Sequence, residues 1–295
     1  MTKSEANRPL HHVLRAPEPH WVGDGFAVRT AFSPRRIDPD LLSPFIMLDH
    51  AKPKYFPPTN VPRGVGEHPH RGFETVTFSY QGEVNHRDSH GGGGTIGPGD
   101  VQWMTAGSGV VHEEFHSQRL TREGGVFEMV QLWVNLPARQ KMVAPKYQAL
   151  RGTSFPTVQL GEVSGRLVAG SMDGSTGPAE THTPMTIFDM VADAGRRARF
   201  HVPDGHTVLV QVLEGQLQAE GEIANQGDVF VYDRTQKGSV TFEAVESSRV
   251  LVLSGEPLGE PVVAHGPFVM NTRQEIHDAI RDYQMGKMGR LAPAT

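Results

Sequence analysis

GFETVTFSYQGEV, residues 72–84, decides the fold. Val76, Phe78 and Tyr80 share one parity, the period-two pattern of a strand, and Gly82 marks the turn that follows. The same strand and turn return 133 residues on, as LEGQL around Gly215. A second marker, Gly-Asp-Val, stands at 99–101 and again at 227–229, an offset of 128. The markers are 17 positions apart in the first copy and 12 in the second, the excess being a loop that contains Gly91–Gly94. Two copies of one all-β unit, each of about 130 residues, fit the chain length.

Other stretches repeat the theme. VFEMVQLWVNLP (126–137) is a nearly continuous apolar run, suited to a strand buried on both faces. PMTIFDMVADAG, HTVLVQVLEGQLQAEG, GDVFVYD and SRVLVLSGEP read as further short strands, and frequent Gly/Pro turns point to a sandwich or barrel. ARQKMVAPKYQALRG, near the joint, has little strand pattern. The expected division is an N-terminal barrel over 1–140, a linker over 141–160 and a C-terminal barrel over 161–295 that carries a terminal helix. That helix announces itself by a capping box, Thr272 and Glu275, followed by Ile276, Ala279, Ile280 and Tyr283 at helical spacing.

Composition narrows the function. The 295 residues hold 28 Lys and Arg against 33 Asp and Glu, which argues against a simple electrostatic nucleic-acid binder. No cysteine is present, so disulfides, thiolate metal sites and cysteine nucleophiles are excluded. No stretch approaches the roughly 18 consecutive apolar residues of a membrane span. The first residues lack a signal-peptide pattern, and a cytoplasmic location is expected.

Histidine carries the chemistry, with 15 in the chain. His68-Pro69-His70 sits just before the 72–84 strand. In an extended chain, residues i and i+2 share a face roughly 6–7 Å apart, so the two imidazoles can grip one metal. His112-Glu113-Glu114 supplies a second such pair, His112 and Glu114. Facing inward in one barrel, the pairs make three imidazoles and one carboxylate, a set for one divalent metal with two open positions, as a catalytic site requires. Glu74 competes as a ligand. A bulge at Gly72 would break its parity, leaving it as an acceptor for a histidine N–H. His86, His90 and His116 read as loop residues facing solvent, with the alternative that one of them lies near the metal. GGGGTIG (91–97) leads into Pro98 and a strand, not a helix, so it is a hairpin loop and not a phosphate cradle. Ser108 has no following helix and is no nucleophile elbow. Phe45, Phe73, Phe78, Trp103 and Trp133 read as core.

HPHRGFETVT, PGDVQWMTAGSGVVHEE, QLWVNLP, KMVAPKYQ and GEPLGEPVVAHGPFVMNTRQEI together resemble the pirin family of the cupin superfamily. The resemblance runs from Leu48-Asp49-His50 to the last helix. It implies an all-β bicupin with one metal, usually iron as Fe(II), in the N-terminal barrel. The family's ligands then fall on His68, His70, His112 and Glu114, with Glu113 between the last two. Parity favours Glu114 over Glu113. The second barrel is expected to lack a metal; His201 and His206 are five apart and read as turn or surface residues.

The resemblance implies quercetin 2,3-dioxygenase activity in several members and nuclear transcriptional cofactor roles in some eukaryotic ones. The leading expectation is an iron dioxygenase that opens a flavonol such as quercetin with O2, with Glu114 doubling as a base for the substrate proton. One rival is a redox-sensitive regulatory protein whose metal serves docking to a protein partner; it expects a sealed metal. Another is a sugar isomerase, which expects a polar cavity with several charges. The dioxygenase expects an apolar cavity that reaches the metal.

Overall fold

The computed structural model describes residues 6–292; residues 1–5 and 293–295, the outer ends of the two expected domains, lie outside the described residues. Strands dominate, with three short α-helices among the described residues. Two β units appear, each a seven-stranded sheet with a four-stranded partner, as in a bicupin. In the first, the large sheet runs in the order Lys146–Leu150, Val101–Thr105, Phe73–Gln81, Gly125–Asn135, Phe45–Phe56, Phe26–Phe32, His20–Val22. Its small sheet is Gly64–His70, Val110–His116, Val84–Asp88, Gly93–Ile96. VFEMVQLWVNLP is the central strand of the large sheet and is buried almost throughout, as its unbroken apolar run requires.

The internal repeat is physical. Gly82 and Gly215 take φ of 75° and 81°, the left-handed region that a tight strand-to-strand turn needs and that glycine adopts without strain. Asp100 and Asp228 play one part in their two barrels. Each carboxylate accepts a backbone N–H three residues upstream, from Gly97 and Asn225. Each also binds an arginine and the next backbone N–H at the end of an edge strand: Arg151 and Gly152 after Lys146–Leu150, Arg15 and Ala16 after Leu10–Leu14. The equivalence shows in the sequence as Leu150-Arg151-Gly152 beside Leu14-Arg15-Ala16.

This pairing corrects the expected linear division. Residues 6–17, 31–44 and 154–258 form one compact unit; residues 18–30, 45–153 and 259–292 form the other. The first strand of the chain therefore pairs in the second barrel, against Val229–Tyr232. The stretch 141–160 is no linker but carries an edge strand of each barrel, Lys146–Leu150 and Thr157–Leu160. Edge strands bury few side chains, so their apolar periodicity is faint. The second barrel is filled by an apolar core that includes Phe188, Phe200, Phe230 and Phe242.

The terminal helix also packs elsewhere than expected. It spans Arg273–Gln284 with both arms of the Thr272–Glu275 capping box formed, and it belongs to the unit of the first barrel. Ile276, Ala279 and Met288 close an apolar cluster with Val111, Phe268 and Met270. Lys141 fastens this return segment. Its buried ammonium donates to Gly72 O at 2.8 Å, Asn135 Oδ1 at 2.7 Å and Val269 O at 2.9 Å. Burial lowers its pKa to about 8, against the pull of Glu260 and Glu275.

The unfolded chain thus holds the Lys141 proton more tightly than the folded one, and stability from this site rises with pH between about 8 and about 10.5. Denaturant titrations of wild type and Lys141→Met across that range should show the wild type gaining up to about 3 kcal/mol on the variant. A constant difference would contradict the buried-amine account.

Candidate metal centre

Register brings the histidines together. In the small sheet of the first barrel, His112 lies directly opposite His68, and Val110 opposite His70. Between His112 and Glu114 the pairing slips by one residue, because the strand that carries His68 accommodates an extra residue at Gly66–Glu67. On the other side of the same strand, Glu114 faces His86 and His112 faces Asp88. Successive side chains alternate faces, so His112, Glu114, His86 and Asp88 all turn inward.

The rings of His68 and His112 are 4.2 Å apart, His70 and His112 4.8 Å, and His68 and His70 4.9 Å. Their ligand atoms fall within 4.8 Å of one another, and those of His86, His112 and Glu114 make a second such group that shares His112. Among the described residues, every group able to hold a metal lies in this barrel.

The outer nitrogens are tied down. His68 Nδ1 is 2.8 Å from Gly66 O, the carbonyl of the bulge, and His70 Nδ1 is 3.3 Å from Pro267 O. A ring that donates Nδ1–H to a carbonyl keeps an unprotonated Nε2 for a metal. His112 Nδ1 is 3.3 Å from His86 Nδ1, and His86 Nε2 is 3.4 Å from Asp88 Oδ2. The chain His112 Nδ1–H to His86, then His86 Nε2–H to Asp88, leaves His112 Nε2 unprotonated. That atom is fully buried and has no hydrogen-bond partner among the described residues. A buried imidazole nitrogen left bare costs about 1–3 kcal/mol, and a metal ion shared with His68 and His70 would satisfy it. The residues therefore fit a metal.

Electrostatics agree. Burial, then the neighbouring imidazoles, holds the pKa values of His70 and His112 well below the ordinary histidine value. Neutral imidazole is the form that binds a cation. For His86, burial acts downward but is outweighed by the bonds to Asp88 and Glu114, and its pKa is raised.

Glu114 is buried beside the triad, and its Oε1 accepts from Gln102 Nε2 at 2.7 Å. Glu113 points away and binds Arg87 at 2.6 Å, as its parity required. Glu74 lies on the face of its strand opposite to Thr77 and accepts from Thr105 Oγ1 at 2.6 Å. It is outside both groups. Burial raises its pKa to about 7.

Three histidine readings need correction. His86 and His116 are buried, not facing solvent, and so is His206 in the second barrel. Val84, His86 and Asp88 share a parity, as do His112, Glu114 and His116, so strict alternation from the buried Val84 and His112 would have placed them inside. His116 donates to Gly25 O and packs among Phe26, Phe56 and Phe127. The glycine run is half strand, since Gly93–Ile96 pairs with Val84–Asp88. Pro267 was not foreseeable, because it reaches His70 from 197 residues away.

A cavity of about 390 Å³ opens onto the cluster. Val22, Phe26, Val28, Met47, Val65, Met129, Trp133 and Pro267 give it apolar walls, and His68, His70, Glu114, Asp49 and Gln131 are its polar lining. Trp133 stands with its ring 5.3 Å from that of His70.

Comparison with known proteins agrees with this architecture. The Pirin family model matches residues 26–134, and that of the Pirin C-terminal cupin domain matches residues 187–289. The chain belongs to the pirin family. Arabidopsis thaliana Pirin-1 is 37% identical over 90% of this chain and 90% of its own. A Pseudomonas aeruginosa pirin relative, provisionally named a quercetin 2,3-dioxygenase, is 51% identical over 91% of this chain and 94% of its own. The crystal structure of a quercetin 2,3-dioxygenase from Acinetobacter baumannii superposes with a TM-score of 0.92 at 47% identity, covering 96% of this chain and 99% of that one. These pirin relatives span nearly the whole length of the two barrels described above.

His86→Phe should weaken metal binding by about 10- to 100-fold, because it removes the group that orients His112. Glu113→Gln should leave binding unchanged. Competition of each apoprotein against a chromogenic chelator measures both. Equal affinity in His86→Phe and wild type would refute the tether.

Proposed function

We propose that the protein is a mononuclear metal dioxygenase that opens a flavonol such as quercetin. His68, His70, His112 and Glu114 hold one divalent ion, Fe(II) in the native form. The observation that carries this reading is the apolar cavity that ends on His68, His70 and Glu114, with the buried His112 ring 4.2 Å behind that of His68. A redox-active metal there supplies Lewis-acid activation of an enol and electron exchange with O2.

The rest is the work of this chain. Gly66 O, Pro267 O and the His86–Asp88 pair fix the imidazole planes before substrate arrives, so no reorganisation is needed in the reaction. The apolar walls exclude water and suit a flat aromatic. Glu114 would take the enol proton on loosening from the metal. Gln102 Nε2 holds its Oε1, leaving Oε2 as the acceptor atom. The regulatory rival expects a sealed metal, whereas here the cavity reaches the cluster. The sugar isomerase expects several charges, whereas Asp49 is the one carboxylate of the lining besides Glu114.

Iron-loaded protein should consume O2 in step with loss of flavonol absorbance. His112→Ala should reduce that rate at least about 100-fold while the second barrel keeps the chain folded. No flavonol-dependent O2 uptake above free iron would overturn the assignment in favour of the regulatory reading.

A further inference from the structure

One pair of side chains in the cavity lies outside both groups able to hold a metal. Asp49 and Gln131 are direct cross-strand partners between Phe45–Phe56 and Gly125–Asn135, and both line the cavity. Such partners have Cβ atoms about 4.5–5.5 Å apart.

Their hydrogen-bonding capacity can be derived. The Tyr147 hydroxyl donates to Gln102 Oε1 at 3.2 Å, so Gln102 turns Nε2 towards Glu114 Oε1, 2.7 Å away. Gln102 Nε2 also donates to Thr77 Oγ1 at 3.0 Å. The single Thr77 hydrogen goes to Gln131 Oε1 at 2.7 Å, the nearer of its two acceptors, Glu114 Oε1 being 3.4 Å away. This leaves the Gln131 Nε2 donor with no partner among the described residues. Asp49 accepts at Oδ1 from Thr30 and has no other hydrogen bond among the described residues, which leaves Oδ2 as an acceptor. Burial raises the Asp49 pKa, as expected of a carboxyl set in an apolar wall. A donor and an acceptor therefore stand side by side on a wall otherwise made of Val28, Met47 and Met129.

Their position is also defined. Gln131 and Trp133 lie on one face of a strand, one two-residue step or roughly 7 Å apart. Trp133 abuts His70. The pair is thus about one fused-ring width from the metal-binding end.

We propose that Asp49 and Gln131 determine substrate specificity by reading a phenolic hydroxyl remote from the metal-binding end. The hydroxyl donates to Asp49 Oδ2 and accepts from Gln131 Nε2. This deepens the flavonol reading and rests on it, because it presumes an aromatic ligand whose other end meets the histidines.

The test is anaerobic calorimetric titration of the iron-loaded protein with quercetin and with 3-hydroxyflavone, which keeps the enol and lacks the other hydroxyls. Wild type should bind quercetin at least about tenfold more tightly. Asp49→Leu and Gln131→Met should each erase most of that preference, and Asp49→Leu should leave 3-hydroxyflavone affinity unchanged. Asp49→Asn, which keeps an acceptor for Thr30 but offers the ligand an N–H, should lower the preference even if Asp49→Leu fails to fold. Retained preference in all folded variants, or equal loss for both ligands, would overturn the proposal. O2 uptake measured in parallel separates the two claims. Turnover with retained preference sinks this proposal alone. Lost preference without turnover sinks the dioxygenase alone. No binding of either flavonol sinks both.

Discussion

The site depends on one constraint, the antiparallel register that sets His112 opposite His68. Because strand side chains alternate with period two, a slip of one residue would turn His112 and Glu114 to the outer face and bring Glu113 inward. Several contacts hold the register. A Cβ on Gly64 would lie 2.1 Å from Glu114 O, so only glycine admits the close approach of the two strands. Asp24 Oδ1 accepts from Gly64 N at 2.8 Å, and His116 N donates to Arg63 O at 2.8 Å. The bulge at Gly66–Glu67 absorbs the odd residue and provides the carbonyl that orients His68.

From that register the chemistry follows in sequence. Four inward positions collect imidazoles and a carboxylate at the inner end of the cavity. Burial keeps two of those imidazoles neutral, and carbonyls or a second histidine hold their outer nitrogens. The polar groups beyond are linked through Gln102, which donates to Glu114 on one side and to Thr77 on the other, and Thr77 in turn donates to Gln131. The large sheet supplies the opposite wall, where apolar side chains leave room for a flat ligand. The second barrel repeats the strand order and the aspartate-held turns, but its interior is filled by phenylalanine and aliphatic side chains.

Much of this was legible in the sequence. Val76, Phe78 and Tyr80 marked a strand, and the paired Gly82/Gly215 and Gly-Asp-Val signals marked two equivalent barrels. The i, i+2 pairs at 68/70 and 112/114 put inward-facing candidate ligands at adjacent strand positions. What stayed hidden depends on long-range pairing. Leu10–Leu14 joins the second barrel because edge strands carry weak periodicity, and only the Leu-Arg-Gly and Leu-Arg-Ala echo betrays it. Which of His86, His90 and His116 lies near the metal is hidden because the glycine run suggests a loop that begins earlier than it does. Pro267 reaches the site through a return of the chain that no local pattern encodes.

The central claim is that three histidines converge on one metal at the end of an apolar cavity. X-ray absorption of the iron-loaded protein, with and without anaerobic flavonol, tests it most directly. The account predicts the scattering of three imidazole ligands with oxygen donors completing the shell, and a changed oxygen shell when flavonol is added. One imidazole or none, or a shell indifferent to the ligand, would contradict it.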